Sequence, residues 1–160
     1  MATVGIQLVN SYSPSRFCVV MNARSADFLA YTLLANAVVA GLLLWGQLPE
    51  QMAIHFGAGG EPDTVVAKPI GILLAPLVGL GGLLVTRYTP ERLRSGTTAP
   101  EVENIAVVFL AAIVAYTQGF LYLWNLGYRL DTAVVTAPAL IAALAIVIYS
   151  HRRSLAGGLI

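Results

Sequence analysis

Four long runs without a single charged residue divide the chain. They cover residues 28–48, 70–86, 105–124 and 132–149. Each is close to the ~20 apolar residues that a helix needs to cross the hydrocarbon core of a bilayer. Helices suit that environment because their backbone polar groups bond within the segment. A soluble bundle would need a polar stripe on each helix, and these runs lack one. The sequence therefore predicts an all-α fold, an integral membrane four-helix bundle.

Composition supports a membrane protein and excludes several other classes. Hydrophobic residues make up 58% of the chain and charged residues 11%, whereas soluble domains are nearer half apolar and a quarter charged. A net charge of +1 argues against nucleic acid as a partner. The single cysteine, Cys18, can form neither an intramolecular disulfide nor a zinc site. The expected partner is membrane lipid, and no cofactor is predicted.

The distribution of lysine and arginine predicts the orientation in the membrane. Basic residues are enriched in cytoplasmic segments, so the side with more of them is expected to face inward. The stretches before the first run, between the second and third, and after the fourth hold seven, whereas the other two loops hold Lys68 and Arg129. The prediction is a multi-pass protein of the cell membrane with both termini cytoplasmic. The loop of residues 48–69 would then face outward.

These boundaries define three parts of the chain. Residues 1–27 are predicted to form a cytoplasmic arm, residues 28–150 the membrane domain, and residues 151–160 a cytoplasmic tail. The arm has no basic start and no long apolar core, so it makes a poor signal peptide. Two interpretations stay open: translation begins at Met21, or the first 20 residues form a short arm that is disordered or interfacial.

Small residues repeat every four positions on the second and third runs. Such stripes let helix backbones approach each other in lipid. They predict contact between these two helices, through Gly71, Ala75 and Gly79 on one and Ala111, Ala115 and Gly119 on the other.

Polar side chains within the runs are few, chiefly Asn36 and Gln118. Prolines in the second and fourth runs, at a depth similar to that of Gln118, each leave the carbonyl four residues earlier unpaired. The Gln118 amide is predicted to donate to one of these carbonyls, that of Ile72 or of Val134. This arrangement would be either an outward-facing polar pocket or a hydrogen bond that joins helices. Without a charge inside the runs, no proton or ion pathway is indicated.

The loop "LPEQMAIHFGAGGEPD" stands out because it is polar between two apolar runs. Pro49 is expected to end the first helix. Residues 52–56 alternate in polarity with a period of two, which predicts a short extended segment. The glycines and Pro62 that follow are typical of tight turns. Pro69 suits the first turn of the next helix. The loop is therefore predicted to be folded.

His55, Glu61 and Asp63 form the one plausible ligand set in this loop. Imidazole and carboxylates can bind a divalent metal, although the spacing matches no established pattern. The alternative is structural: Lys68 pairs with Glu61 or Asp63, and His55 bonds a loop carbonyl. No nucleophile pairs with His55 and no phosphate-binding loop is present, so the chain is not expected to be an enzyme.

The same stretch resembles the domain of unknown function that opens the SdpI-like immunity proteins. Ten residues match that pattern without a gap: Leu48, Pro49, Met52, His55, Phe56, Gly60, Glu61, Pro62, Asp63 and Lys68. The chain departs from the pattern at Ala53, where the family usually has proline, and at Gly57, where it usually has asparagine. The close match covers the loop, and the second half of the chain does not match the family's further membrane portion.

The resemblance implies a multi-pass membrane protein that acts through the outward loop. Well-understood members protect cells from a secreted peptide toxin and hold a transcriptional repressor at the membrane. A binding, sensing or toxin-immunity protein is therefore expected, with a peptide toxin or other external ligand and a cytoplasmic regulator as partners. The alternative is a structural or accessory subunit that packs against a larger membrane complex or transporter.

Overall fold

The structure, a computed structural model, describes residues 22–57, 59–90 and 100–157. These ranges contain four helices and two strands: α1 (Ala23–Leu43), β1 (Gln51–Phe56), β2 (Pro62–Ala67), α2 (Lys68–Tyr88), α3 (Pro100–Asn125) and α4 (Thr132–Gly157). Most of the predicted arm, with the choice between Met1 and Met21, lies outside the described residues.

Three of the helices are long and apolar enough to cross a membrane. These are α1, α2 and α3, and each contains a window of mean hydropathy between 1.7 and 2.0. The apolar part of α4, residues 133–149, is shorter. Each of the four predicted runs thus lies mostly in a helix, and three of these helices meet the length expected of a membrane span.

The prediction of an all-α fold is wrong in one respect, because β1 and β2 form a two-stranded antiparallel sheet. Met52, Ile54 and Phe56 alternate with other residues along β1, and Thr64, Val65 and Val66 supply β-branched side chains to β2. The turn between them contains Gly60 with a φ of 82°, a conformation that glycine adopts readily.

Local hydrogen bonds move several helix ends from their predicted positions. α1 begins at Ala23 because the Asn22 side chain accepts a hydrogen bond from the Ser25 amide at 2.8 Å and so caps the helix. It ends at Leu43, and residues 44–48, predicted to be helical, form turns instead. At the other end of the chain α4 continues to Gly157, so most of the predicted tail is helical.

Helix α3 is the centre of the fold, since it contacts α1, α2, β1 and α4. One core cluster joins α1, α2 and α3 in the middle of the bundle: Ala30, Leu34, Leu83, Val107 and Ala111. A second cluster lies under the sheet and joins it to α2 and α3: Leu48, Met52, Ile72 and Tyr122. The second cluster attaches the sheet to one end of the bundle through Met52.

The small residues on α2 and α3 have unequal roles in this packing. A Cβ on Gly79 would lie 3.0 Å from Val114 of α3 and 3.1 Å from Leu34 of α1. One on Gly71 would lie 3.0 Å from Met52 of β1, whereas one on Gly119 would meet nothing within 4 Å. Ala111 is fully buried in the core and Ala115 is half-buried. Close approach is thus required at Gly79 and Gly71.

We expect Gly79→Leu to destabilise the bundle, because a bulky side chain would force α1 and α3 away from α2. Overpacking of this kind costs about 1–3 kcal/mol. Gly81→Leu is the matched control, since a Cβ on Gly81 would meet nothing within 4 Å. Thermal unfolding in detergent measures both variants. Equal stability of the two would contradict the close contact at Gly79.

Candidate functional site: the hairpin and the helix ends that hold it

The two strands form a hairpin that covers one end of the bundle. Met52 pairs with Val66 and Ala53 with Val65, and the register shifts once the chain passes Ala53. At the tip, the Gly57 amide donates to the carbonyl of Glu61 at 2.9 Å. The face of β1 that carries Met52 is buried against the bundle, whereas almost all of β2 is exposed. The hairpin is therefore a folded element with one outward surface.

Asn125, the last residue of α3, bonds to the backbone of β1. Its Oδ1 accepts from the Ala53 amide at 2.8 Å, and its Nδ2 donates to the Ala53 carbonyl at 3.0 Å. Nδ2 also donates to the carbonyl of Leu121 within α3 at 2.8 Å. A primary amide can pair with a backbone amide in this way because it carries one acceptor and two donors. The Asn125 side chain thus bonds to the outer edge of β1 in the way that the backbone of a neighbouring strand would.

Lys68 fixes the other end of the hairpin, where β2 passes into α2. Its ammonium group is buried and donates to the Trp45 carbonyl at 3.0 Å and to Glu50 Oε1 at 2.9 Å. The same group lies 5.2 Å from the centre of the Trp45 ring, within the range of a cation–π contact. Lys68 therefore ties the turn after α1 to the start of α2.

An aromatic cluster supports the hairpin near its tip. The ring of Phe56 lies 5.3 Å from that of Phe120 and 4.8 Å from that of Trp124, in tilted and edge-on orientations. Such arrangements are favoured between aromatic rings. Arg129 lies in the connection between α3 and α4, and its guanidinium carbon is 4.8 Å from the centre of the Trp124 ring. Phe56 thus attaches the tip to α3.

His55 and Asp63 face each other across the hairpin on its exposed surface. His55 Nδ1 lies 2.6 Å from Asp63 Oδ1, and the Thr64 hydroxyl donates to the same oxygen at 3.1 Å. The hydrogen bond with His55 is the main cause that lowers the pKa of Asp63 below its ordinary value of 3.8. With Asp63 ionised, Nδ1 is the donor, which leaves Nε2 of the imidazole directed away from this contact. The side chains of His55 and Asp63 are 70% and 48% exposed.

The ion pairs expected from the sequence are wrong in their partners. Lys68 pairs with Glu50, not with Glu61 or Asp63, and His55 bonds Asp63, not a loop carbonyl. The antiparallel register explains this result. It sets Glu50 opposite Lys68 at the base of the hairpin, where the Lys68 amide also donates to the Glu50 carbonyl at 2.9 Å.

The metal alternative for this loop brings together two ligands at most. Among the described ranges, no group of three or more histidine, cysteine, aspartate or glutamate residues is placed to hold a metal ion. Glu61 is exposed at the tip, and its part in the described hydrogen bonds there is through its backbone carbonyl. Beside the tip, an open cavity of about 330 Å³ extends to the start of α4, lined by Phe56, Gly57, Gly59, Gly60, Asp131, Ala133 and Thr136.

The remaining loop residues of the predicted site have mainly structural positions. Pro49 lies between the turns after α1 and the first strand. Pro62 begins β2 and pairs with Phe56 in the register of the sheet. Gly60 provides the positive φ of the tip.

Polar side chains of α3 join the helices below the hairpin. Gln118 is fully buried and donates to the Gly71 carbonyl at 2.9 Å, one residue away from the predicted acceptor Ile72. The hydroxyl of Tyr122 donates to the Ala37 carbonyl of α1 at 2.8 Å. With Asn125, these residues lie at i, i+4 and i+7 on α3 and reach α2, α1 and β1 respectively. Asn36, the other predicted intramembrane polar residue, is exposed on α1.

A second polar cluster lies at the opposite end of the bundle, around Arg87. Nε of Arg87 donates to Asp27 Oδ1 at 2.7 Å, and Nη1 donates to Glu103 Oε1 at 2.9 Å. Nη2 donates to Asn104 Oδ1 at 2.9 Å. The guanidinium thus joins the start of α1, the end of α2 and the start of α3, which are all at the end away from the hairpin.

Sequence reasoning did not find Arg87, Tyr122, Asn125 or Trp45 as partners in these networks. Arg87 directly follows the run of residues 70–86, so the sequence predicts it in a loop, whereas it lies in the last turn of α2. For Tyr122 and Asn125 a signal exists, since their spacing from Gln118 places all three on one face of a helix.

These features define a class of protein: a helical bundle with three membrane-span candidates, capped at one end by a latched β-hairpin. The family described as "Domain of unknown function (DUF1648)" matches residues 32–80, which run from α1 through the hairpin into α2. An uncharacterized protein of Archaeoglobus fulgidus is 29% identical over 69 residues. That match covers 43% of this chain and 38% of the archaeal protein. No solved structure matches the chain.

We expect Asn125→Leu to release the hairpin from α3 while the helices stay packed. Leucine has a similar size but cannot bond the Ala53 amide and carbonyl, and buried groups left without a partner cost about 1–3 kcal/mol. Hydrogen exchange at the Ala53 amide should accelerate strongly, and exchange in the middle of α3 should change little. Gln47→Leu, an exposed position in the turn after α1, is the control. Unchanged protection of Ala53 in Asn125→Leu would contradict the role of this side chain as a latch.

Proposed function

We propose that this protein is a multi-pass protein of the cell membrane that binds or senses a ligand outside the cell through its hairpin. In this proposal the chain crosses the membrane four times with both termini inside, so that the 48–69 segment faces outward. Protection against a secreted peptide toxin, as in the SdpI-like immunity proteins, is the most concrete form of this function.

The observation that carries the proposal is the way the hairpin is built. The hairpin is held by Asn125 at the edge of β1, by Lys68 at its base and by the Phe56 cluster near its tip, whereas His55 and Asp63 stay exposed. A surface that is already ordered loses little conformational entropy when it binds a partner. A loop that served only to connect α1 and α2 would not need three separate attachments.

The orientation is supported by charge. The Lys and Arg residues are concentrated in the segments at the Arg87 end and in the terminal segments, as expected for the cytoplasmic side. We expect a cysteine at Gly59 to react with an impermeant thiol reagent in intact cells, in a Cys18→Ser background. A cysteine at Glu101, exposed at the start of α3, should react only after the cells are opened. The reverse pattern would place the hairpin inside and end the proposal of an external ligand.

A cell-based experiment tests the immunity form of the function. Native cells that lack the protein should become sensitive to the peptide fraction of their own spent medium, and the parent chain should restore growth. His55→Ala together with Asp63→Ala should restore it poorly although the variant is inserted, while Gln47→Ala should restore it fully. Full growth of the deletion cells in every fraction would contradict immunity.

A second candidate is an accessory subunit of a larger membrane complex. The exposed apolar side chains of α4 support it, among them Val134, Leu140, Ile141 and Leu144, each at least 60% exposed. Lipid covers such an apolar face equally well, which is why this candidate stands second. Copurification of one membrane protein in fixed ratio from detergent, lost when Leu140 and Leu144 are both replaced by tryptophan, would favour it.

A further inference from the structure

Among the described residues no strand pairs with the outer edge of β2, whereas the outer edge of β1 bonds to Asn125 at Ala53. In an antiparallel pair, residues alternate between those whose backbone groups point at the partner strand and those whose groups point away. The Lys68 amide donates to the Glu50 carbonyl, so this pair points inward at the base of the hairpin. In the next pair, Gln51 and Ala67, the N–H groups point outward. The pair Met52 and Val66 points inward again, and the backbone groups of Ala53 and Val65 point outward.

The Asn125 latch provides independent support for this alternation. Ala53 is one of the outward-pointing residues of β1, and both of its backbone groups bond to Asn125. Its partner in the register, Val65, must therefore direct its own N–H and C=O to the opposite side, away from β1. The Ala67 N–H does the same two residues later, whereas the Ala67 carbonyl, as that of the N-cap residue of α2, accepts the first hydrogen bond of the helix. The open edge of the hairpin therefore has three backbone groups, the N–H and C=O of Val65 and the N–H of Ala67.

Within the described part of the chain, the elements that β2 contacts appreciably are β1 and the start of α2. Val65 is 56% exposed, and the other residues of β2 are exposed except for Val66, which is half-buried. Natural proteins usually protect an edge strand of this kind with lysine, proline or a covering element. Here proline stands only at the two ends, at Pro62 and Pro69, so the segment between them is free to accept another strand.

Charge selects the kind of strand that fits this edge. Residues 50–67 include three carboxylates and no lysine or arginine. The buried ammonium of Lys68 is balanced by Glu50, which leaves Glu61 and Asp63 as exposed acidic groups of β2 and its turn. A second copy of the same acidic hairpin would be repelled, whereas a basic partner would be attracted.

We propose that the open edge of β2, at Val65 and Ala67, is the docking site for an extended basic peptide segment, which adds to the hairpin as a third strand. Backbone hydrogen bonds to Val65 and Ala67 hold the segment, and its lysine or arginine side chains lie near Glu61 and Asp63. This mode of binding is strand addition to a sheet edge. It deepens the proposed function, on which it rests for the outward position of the hairpin, by specifying the chemistry of the ligand.

The test uses the full chain in phosphatidylcholine nanodiscs and three synthetic peptides. The first alternates lysine and valine, the second alternates glutamate and valine, and the third is the lysine peptide with every backbone nitrogen methylated. The lysine peptide should bind at least about tenfold more tightly than the other two, because only it combines positive charge with backbone donors. Hydrogen exchange at the Val65 and Ala67 amides should slow when it binds.

Two variants of Val65 test the edge itself. Val65→Pro removes an outward N–H that the hairpin does not use, and it should weaken binding at least about tenfold. Val65→Lys keeps every backbone group but adds a positive charge to the edge, so it should also weaken binding. Protection of the Ala53 amide, measured in both variants, establishes that the hairpin is intact. Glu61→Gln should weaken binding of the lysine peptide a few-fold and that of the glutamate peptide not at all.

Several results would overturn the inference. Equal binding of the methylated peptide would mean that backbone bonds are not involved. Efficient disulfide formation between two copies carrying Val65→Cys, in a Cys18→Ser background, would identify a second copy as the occupant. Failure of the lysine peptide to bind, with the hairpin labelled from outside, removes this inference and leaves the proposed function standing. If the lysine peptide binds strongly in nanodiscs but the deletion cells show no growth defect, the immunity role is contradicted and the docking site is supported.

Discussion

Arg87→Ala should cause one of the largest losses of stability in the chain. The side chain of Arg87 is 14% exposed, and those of Asp27 and Glu103 are 33% and 17% exposed. Removal of the guanidinium leaves two half-buried carboxylates close together and without their cation. Breaking a buried ion pair on one side costs about 3–5 kcal/mol, and partial exposure of Asp27 places this case near the lower value. Unfolding in detergent, followed by circular dichroism, measures the loss.

Neutralising the two carboxylates distinguishes the cost of unpaired charge from the cost of losing the packing contacts of the Arg87 side chain. Arg87→Met combined with Asp27→Asn and Glu103→Gln should recover most of the stability, because no unpaired charge remains. Arg129→Ala is the control, since Arg129 is an exposed arginine whose contact with Trp124 should contribute about 0.5–1 kcal/mol. Arg87→Lys should be intermediate, because a single ammonium cannot reproduce the fork of the guanidinium. If Arg87→Ala were no more destabilising than Arg129→Ala, the hydrogen bonds and ion pairs of Arg87 would not contribute to the stability of the bundle.

The apolar helices could be predicted from the sequence because hydrocarbon length and the absence of charge are local properties. Their ends could not, since they depend on particular contacts such as the bond from the Ser25 amide to Asn22. The alternation in residues 52–56 predicted an extended segment, but the segment needed a partner strand that hydropathy alone does not identify. Once β2 is paired with β1, Glu50 lies opposite Lys68. His55 is paired with Thr64, and the irregular register at this point leaves the neighbouring Asp63 within hydrogen-bonding distance of His55.

The hydrogen-bond partners of the polar residues of α3 cannot be predicted from the sequence of that helix alone. Gln118 was identified as a donor to a carbonyl of the second helix, and it bonds the carbonyl of Gly71, one residue from the predicted acceptor. Tyr122 and Asn125 share its face, so the helical period could have identified a polar stripe. What each residue bonds depends on how the other elements are rotated against α3, and the sequence of α3 does not contain that information. The polarity of the hairpin marks it as a candidate site in the sequence. The α3 residues that hold it, such as Trp124 and Asn125, lie in or next to an apolar run and carry no such signal.

Gly41→Ala should be the most harmful small substitution in the structure, although sequence analysis gave Gly41 no role. A Cβ at this position of α1 would overlap Oη of Tyr122 and lie 2.7 Å from Cγ2 of Ile72. Both contacts are closer than van der Waals distance, so the helices must move apart or Tyr122 must lose its bond to the Ala37 carbonyl. Overpacking costs about 1–3 kcal/mol, and loss of the buried hydrogen bond adds about 1 kcal/mol or more.

The control for this substitution is Gly81→Ala, because Gly81 lies in α2 and a Cβ there would meet nothing within 4 Å. Alanine is the better helix former by roughly 1 kcal/mol, so this control should be neutral or slightly stabilising. In a Tyr122→Leu background the cost of Gly41→Ala should fall by about 1 kcal/mol or more, since the nearest obstructing atom has been removed. The contact with Ile72 remains, so the cost should not vanish. If Gly41→Ala cost the same in both backgrounds, Tyr122 would not be the group that requires a glycine at this crossing of α1 and α3.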